Sequence, residues 1–176
     1  YFQGKIHISF YNNNEWYVPE YDQWAQREEN NTLVKPEVLP NREVLTQWQP
    51  TQKGAHKLML MGEEQLISKM FALLNEQFAD TMQIYRGKET YIDLSDKSVS
   101  KLTGIKVILD EIYHFSLEEA LAFGDNYNDL EMLQGVGCGV AVANAREEVK
   151  QIAKYVTFHH KEDGVSEFLK KQINKN

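Results

Sequence analysis

The chain has 176 residues, 42% of them hydrophobic and 11% aromatic, with a formal net charge of -7 at pH 7. Those values describe one globular domain, or one small domain with part of another, and they leave no basic footprint for nucleic acid. No apolar run approaches the roughly 18 residues that a membrane span needs, and no secretory signal is visible.

Taken in chain order, residues 1–4 ("YFQG") read as the end of a protease-cleavable expression tag and stand apart from the fold. The next stretch, to about residue 55, is polar and aromatic. Within it "ISFYNNNEWYVPEY" alternates like a hairpin turned at Asn12-Asn13-Asn14. From Glu28 to Pro50 there is no clear period, and Pro36, Pro40 and Pro50 point to short helices and loops. "HKLMLMG" (56–62) reads as a buried strand. "EEQLISKMFALLNEQF" (63–78) sets Leu66, Met70, Leu73 or Leu74, and Phe78 on one helical face. "MQIYRGKETYIDLS" (82–95) is two β-rich runs joined by Arg86-Gly87-Lys88. Trp16, Trp24 and Trp48 could line a sugar site, but they read better as core.

From Lys101 the rhythm becomes regular. "KLTGIKVILDEI" predicts a helix with Leu102, Ile105, Ile108 or Leu109, and Ile112 inward. Then come a strand ("EALAF"), a short helix ("NDLEMLQGV"), a strand ("CGVAVA"), a helix ("AREEVKQIAK"), a strand ("YVTF") and a final helix ("VSEFLKKQI"). Strands alternating with helices at this spacing imply an α/β fold with a parallel sheet covered on both faces. The single cysteine, Cys138, excludes an internal disulfide and fits a reducing, cytoplasmic setting.

The chemistry concentrates in "FGDNYND", residues 123–129. In an open parallel sheet, ligands bind beyond the carboxyl ends of the strands, and this loop lies at such an end. Asp125 emerges from the strand, and Asp129 can fold back towards the same point. Two carboxylates on a short turn suit a hard cation such as Mg²⁺, which keeps several waters. Asn128 could orient a carboxylate or a bound water. A calcium loop fits badly, because the third and sixth positions counted from Asp125 are Tyr127 and Leu130. The glycines at 135, 137 and 139 precede a strand and do not form a dinucleotide fingerprint. His159-His160 has no third ligand at a sensible spacing and reads as a loop pair.

"FGDNYNDLEML", followed by "GVAVANAREEVKQIAKYVT" and "KEDGV", closely resembles the carboxy-terminal part of haloacid dehalogenase (HAD)-like phosphatases, in particular the Cof-type branch with a large α/β cap. The resemblance implies the C-terminal half of a Rossmann-like parallel core (97–176) and a cap of the C2 type, incomplete at its N-terminus (5–96). It also implies that Gly124, Asp125, Asn128 and Asp129 belong to the family's fourth motif, whose acidic residues hold Mg²⁺. "DLSDKSVSKLTGIKVIL" resembles the third-motif region, where a lysine, here Lys101, contacts the phosphoryl group and the nucleophile. A lysine at a helix start opposes the helix dipole, which an anion bound there would offset. Asn144 in "VANA" matches a position near the phosphate. Leu102 departs from the pattern, since this branch usually carries Gly after the lysine.

The family's nucleophile and general acid stand in an Asp-x-Asp element, and no such element occurs in these residues. Mg²⁺ and lysine only stabilise charge, so the chain alone is expected to be inactive. The expectation is therefore part of a Mg²⁺-dependent phosphatase acting on a small phosphorylated metabolite, most plausibly a sugar phosphate, in the cytoplasm. Without a strand beside 119–123 an apolar sheet edge would lie open and favour self-association. The competing expectation is a non-catalytic fragment that binds phosphate, metal or another chain.

Overall fold

In the computed structural model, which describes residues 4–174, the chain divides between Lys97 and Ser98 into two units. The tag reading of residues 1–4 lies, Gly4 apart, outside the described residues.

The described part of the first unit forms a six-stranded sheet from β1 (His7–Asn12), β2 (Glu15–Val18), β3 (Glu37–Val38), β4 (Lys57–Met61), β5 (Met82–Lys88) and β6 (Tyr91–Asp96), in the order β3-β2-β1-β4-β6-β5. Every pairing is antiparallel except β2 with β3. The hairpin turn is tighter than expected: Asn12 still pairs with Glu15, and Asn13 takes the left-handed conformation (φ 49°) that asparagine tolerates. Around residue 87 the structure corrects the sequence reading. Arg86-Gly87 is not the turn but an irregularity inside β5, where the register shifts between Tyr85 and Lys88; the chain reverses at Glu89-Thr90.

Alternation along the strands gives the sheet two unlike faces. One packs α2 (Asn41–Trp48) through the mainly aromatic cluster Phe10, Tyr17, Val44 and Trp48, and α3 (Glu64–Phe78) through the aliphatic Leu60, Ile67, Ile92 and Leu94. The buried stripe of α3 runs Ile67, Met70, Phe71 and Leu74, so Leu74 is the inward member of the Leu73/Leu74 alternative, while Phe78, expected inward, stands at the surface. The other face carries Tyr11, Trp16, Met59 and Tyr91 beneath α1 (Gln23–Thr32). Trp16 and Trp48 are core residues, as their reading proposed.

In the second unit β7 (Leu121–Gly124), β8 (Cys138–Ala141) and β9 (Tyr155–Val156) pair in parallel, in that order. Helices α4 (Lys101–Ile108), α5 (Leu130–Gly135), α6 (Glu147–Ile152) and α7 (Gly164–Ile173) alternate with them. Ala122, Leu133, Ala141 and Val149 make the core, joined by Leu102 and Ile105. Leu102 lies against Gly135: a Cβ there would come within 2.6 Å of the leucine methyl group. The departure at 102 is thus a packing choice between two helices.

Two expectations shift. β7 starts at 121 because Leu117–Glu119 form a 3₁₀ turn, and it is an edge strand of the described sheet. α4 ends in a wide turn, Leu109–Tyr113, and Ile108 and Ile112 are exposed while Leu109 is half-buried. No helix of the described residues is long and apolar enough to cross a membrane.

Candidate functional site

β7 ends at Gly124, and the chain turns at once into a 3₁₀ turn, Tyr127–Asp129, before α5 begins. Asn126 caps that turn, its side-chain oxygen accepting from the Tyr127 N–H at 2.9 Å. Asp129 then folds back under the loop. Its Oδ2 accepts the N–H groups of Asp125 at 2.9 Å and Asn126 at 3.0 Å, while its Oδ1 meets Lys101 Nζ at 2.5 Å. Only 3% of the Asp129 side chain is exposed, against 49% of Lys101, so the lysine reaches out from a buried anchor.

Gly124 makes this return possible. A Cβ there would sit 2.5 Å from Asp129 Cβ and 2.8 Å from Cγ, closer than real Cβ atoms approach. The requirement is for space, since Gly124 is not in the left-handed region.

Lys101 is the first residue of α4, behind a reciprocal cap in which Ser100 N–H donates to Thr103 Oγ1 (2.8 Å) and Thr103 N–H to Ser100 Oγ (3.2 Å). Asp129 offsets the unfavourable meeting of the ammonium with the helix dipole. The neighbouring loops gather at the same strand ends. Arg146 N–H donates to the Asp125 carbonyl (3.0 Å), and Asn144 Oδ1, beyond β8, accepts from His160 N–H (3.1 Å). His159 and His160 stack on each other at 4.3 Å, and His159 Nδ1 accepts from Lys161 N–H, which agrees with a loop pair.

Lys101 and Asp129 therefore meet, and Asp125 joins them through its backbone N–H, but the two carboxylates differ. Both oxygens of Asp129 are engaged, whereas Asp125 is exposed at the tip. Asn128 sits half-buried in the turn between them. Among the described residues no group of three His, Cys, Asp or Glu side chains could hold a metal. Such a donor set does not suit a cation that demands four protein ligands. It does suit Mg²⁺, which takes one or two carboxylates and completes its shell with water and phosphate.

Burial raises the Asp129 carboxyl, but the Lys101 ammonium and the two N–H donors outweigh it and hold the group below its ordinary value of 3.8. A pKa depressed by folding adds stability above the unfolded value, lost as pH falls through the folded one. Urea unfolding followed from pH 7 downward is expected to show stability of the second unit falling once pH drops below about 4. In Asp129→Asn that part of the fall should be missing.

The family model described as haloacid dehalogenase-like hydrolase matches residues 1–169. A Haemophilus influenzae protein that carries a provisional phosphatase name is 33% identical over 167 residues, 94% of this chain and 60% of that protein. The 5-amino-6-(5-phospho-D-ribitylamino)uracil phosphatase YitU of Bacillus subtilis is 34% identical over 119 residues, 66% of this chain and 44% of its own length. Among solved structures, the subclass IIB sugar phosphatase BT4131 superposes with a TM-score of 0.76 at 25% identity, covering 94% of this chain and 60% of that one. The chain thus spans 44 to 60% of the length of these relatives.

Proposed function

We propose, on the premise that the chain belongs to the haloacid dehalogenase-like hydrolase family, that it supplies the metal and phosphate half of a Mg²⁺-dependent phosphatase of the Cof type acting on a small phosphorylated metabolite, a sugar phosphate first among them. The single observation that carries the reading is the Asp129–Lys101 pair of 2.5 Å beside the exposed carboxylate of Asp125 at a strand tip. Asp129 acts as the positioning group: it aims the lysine and ties down the loop. Lys101 presents a compact positive charge to phosphoryl oxygens. Asp125 is the residue that would hold Mg²⁺, whose charge, when bound, neutralises the transferring group. Asn128 and the amide of Asn144 stand at the same strand ends as polar neighbours for phosphate. The names of the relatives support a small organic phosphate as substrate, since one acts on a phosphoribityl compound and another is a sugar phosphatase.

Titration of the chain with inorganic phosphate, with and without Mg²⁺, tests this without requiring turnover. Lys101→Met is expected to weaken phosphate binding about tenfold to a hundredfold, the worth of one charge-assisted contact. Asp125→Ala should remove the enhancement by Mg²⁺ and leave metal-free phosphate binding near its original strength. Equal binding by wild type and both variants would sink the reading.

A further inference from the structure

We propose that the first unit carries its own small-molecule site, a cleft between the β1–β2 hairpin and the end of α1 that takes a neutral polyhydroxyl compound on Tyr11 and Trp16. It goes beyond the phosphoryl site and uses none of its atoms. The cleft has a volume of about 390 Å³ and is lined by Tyr11, Asn14, Trp16, Thr32 and Val34 among others. That size and its mixture of aromatic and amide groups are those of a small-ligand pocket.

The wall shows which chemistry fits. Tyr11 and Trp16 pair across the hairpin with rings stacked at 5.8 Å and 7°. Trp16 is only 5% exposed, yet its indole N–H and the Tyr11 hydroxyl are both buried without a hydrogen-bond partner among the described residues. Native proteins keep few such groups, because an unmade buried hydrogen bond is costly. An alcohol answers both kinds of group, accepting from the indole and donating to or accepting from the phenol, while its carbon skeleton packs on the rings.

The carboxylates around the cleft already have partners. Glu15 at the rim is paired with Lys53, and Asp93 behind Tyr11 is paired with Lys57 at 2.8 Å. The Tyr11 phenol is pushed up first by burial and then by the negative charge of Glu28, so it stays neutral and can donate as well as accept. The cover is lightly held: α1 buries only Ala25 completely, and it ends at Leu33, 88% exposed in the left-handed conformation. Hydroxyls reach the two buried groups only with a small displacement of the last turn of α1, whose Thr32 borders the cleft.

Calorimetric titration of the chain with ribitol and with methyl glucoside, with inorganic phosphate as the charged comparison, tests the assignment. Saturable binding of at least one polyol, not displaced by phosphate, is expected. Tyr11→Phe keeps the ring and should weaken binding about tenfold. Val34→Trp fills the cleft from a half-exposed position and should abolish it, carrying the test if Tyr11→Phe unfolds by circular dichroism. The proposal is overturned if neither polyol saturates up to about 0.1 M, if both variants bind like wild type, or if phosphate displaces the polyol. Lys101→Met should leave this titration unchanged, so failure here and failure of the phosphoryl reading are separate results.

Discussion

Gly124→Ala is expected to cost the second unit about 3–4 kcal/mol, the size of effect that follows when backbone and a buried charge are forced apart. The added methyl would lie 2.5 Å from Asp129 Cβ, an atom fixed to the backbone and unable to swing away like a side-chain tip. Either β7 or the start of α5 must move. Three contacts break with that movement: Lys101 Nζ, the Asp125 N–H and the Asn126 N–H all depend on one carboxylate. Each is worth about 1 kcal/mol or more, and the two N–H groups would be left without their acceptor. Urea unfolding should show the loss directly, and phosphate titration should fall with it, because Lys101 loses its anchor. A variant with wild-type stability and phosphate affinity would show that Asp129 does not organise the loop.

On its own, the 176-residue chain should release no phosphate from a generic aryl phosphate, even with saturating Mg²⁺. The reason lies in division of labour. In the roles proposed for them, Asp125, Asp129 and Lys101 bind, orient and neutralise, and leave attack on phosphorus and proton transfer to the leaving group to other residues. The sequence contains no Asp-x-Asp element to do so. Removing a nucleophile from an active site typically costs about 10⁴-fold or more in rate. Phosphate binding should persist while turnover does not. Steady release of phosphate that disappears in Asp125→Ala would refute this division and require another nucleophile among the residues present.

The legible part of the site was the loop itself. Gly-Asp-x-x-Asn-Asp between an apolar strand and a helical pattern located Gly124, Asp125, Asn128 and Asp129, and the resemblance added Lys101 and Asn144. What could not be read was the direction of the Asp129 carboxylate. It was expected to face Lys101 and to share a metal with Asp125; one of its oxygens does meet the lysine, and the other is taken by the loop's own N–H groups, which spacing did not foretell. Spacing places an acid near a strand tip; only the packed loop determines which donors reach it. The Tyr11–Trp16 cleft was missed for a similar reason. Its aromatic residues alternate as core residues would, and nothing in the alternation marks that their polar atoms end without partners.

Local sequence determined which segments become strands and helices, since apolar period, turn residues and caps act within a few residues of one another. It therefore settled the α/β character, the alternation after Lys101 and the position of the acidic loop. Tertiary structure decided matters that depend on distant partners. The bulge at Gly87 moved a turn that composition had placed three residues early, and cover by the sheet chose Leu74 over Leu73 and Ile67 and Phe71 over Phe78. The close approach at Gly124 let Asp129 reach Lys101. Packing space and hydrogen-bond partners are properties of the assembled chain, and no window of sequence contains them.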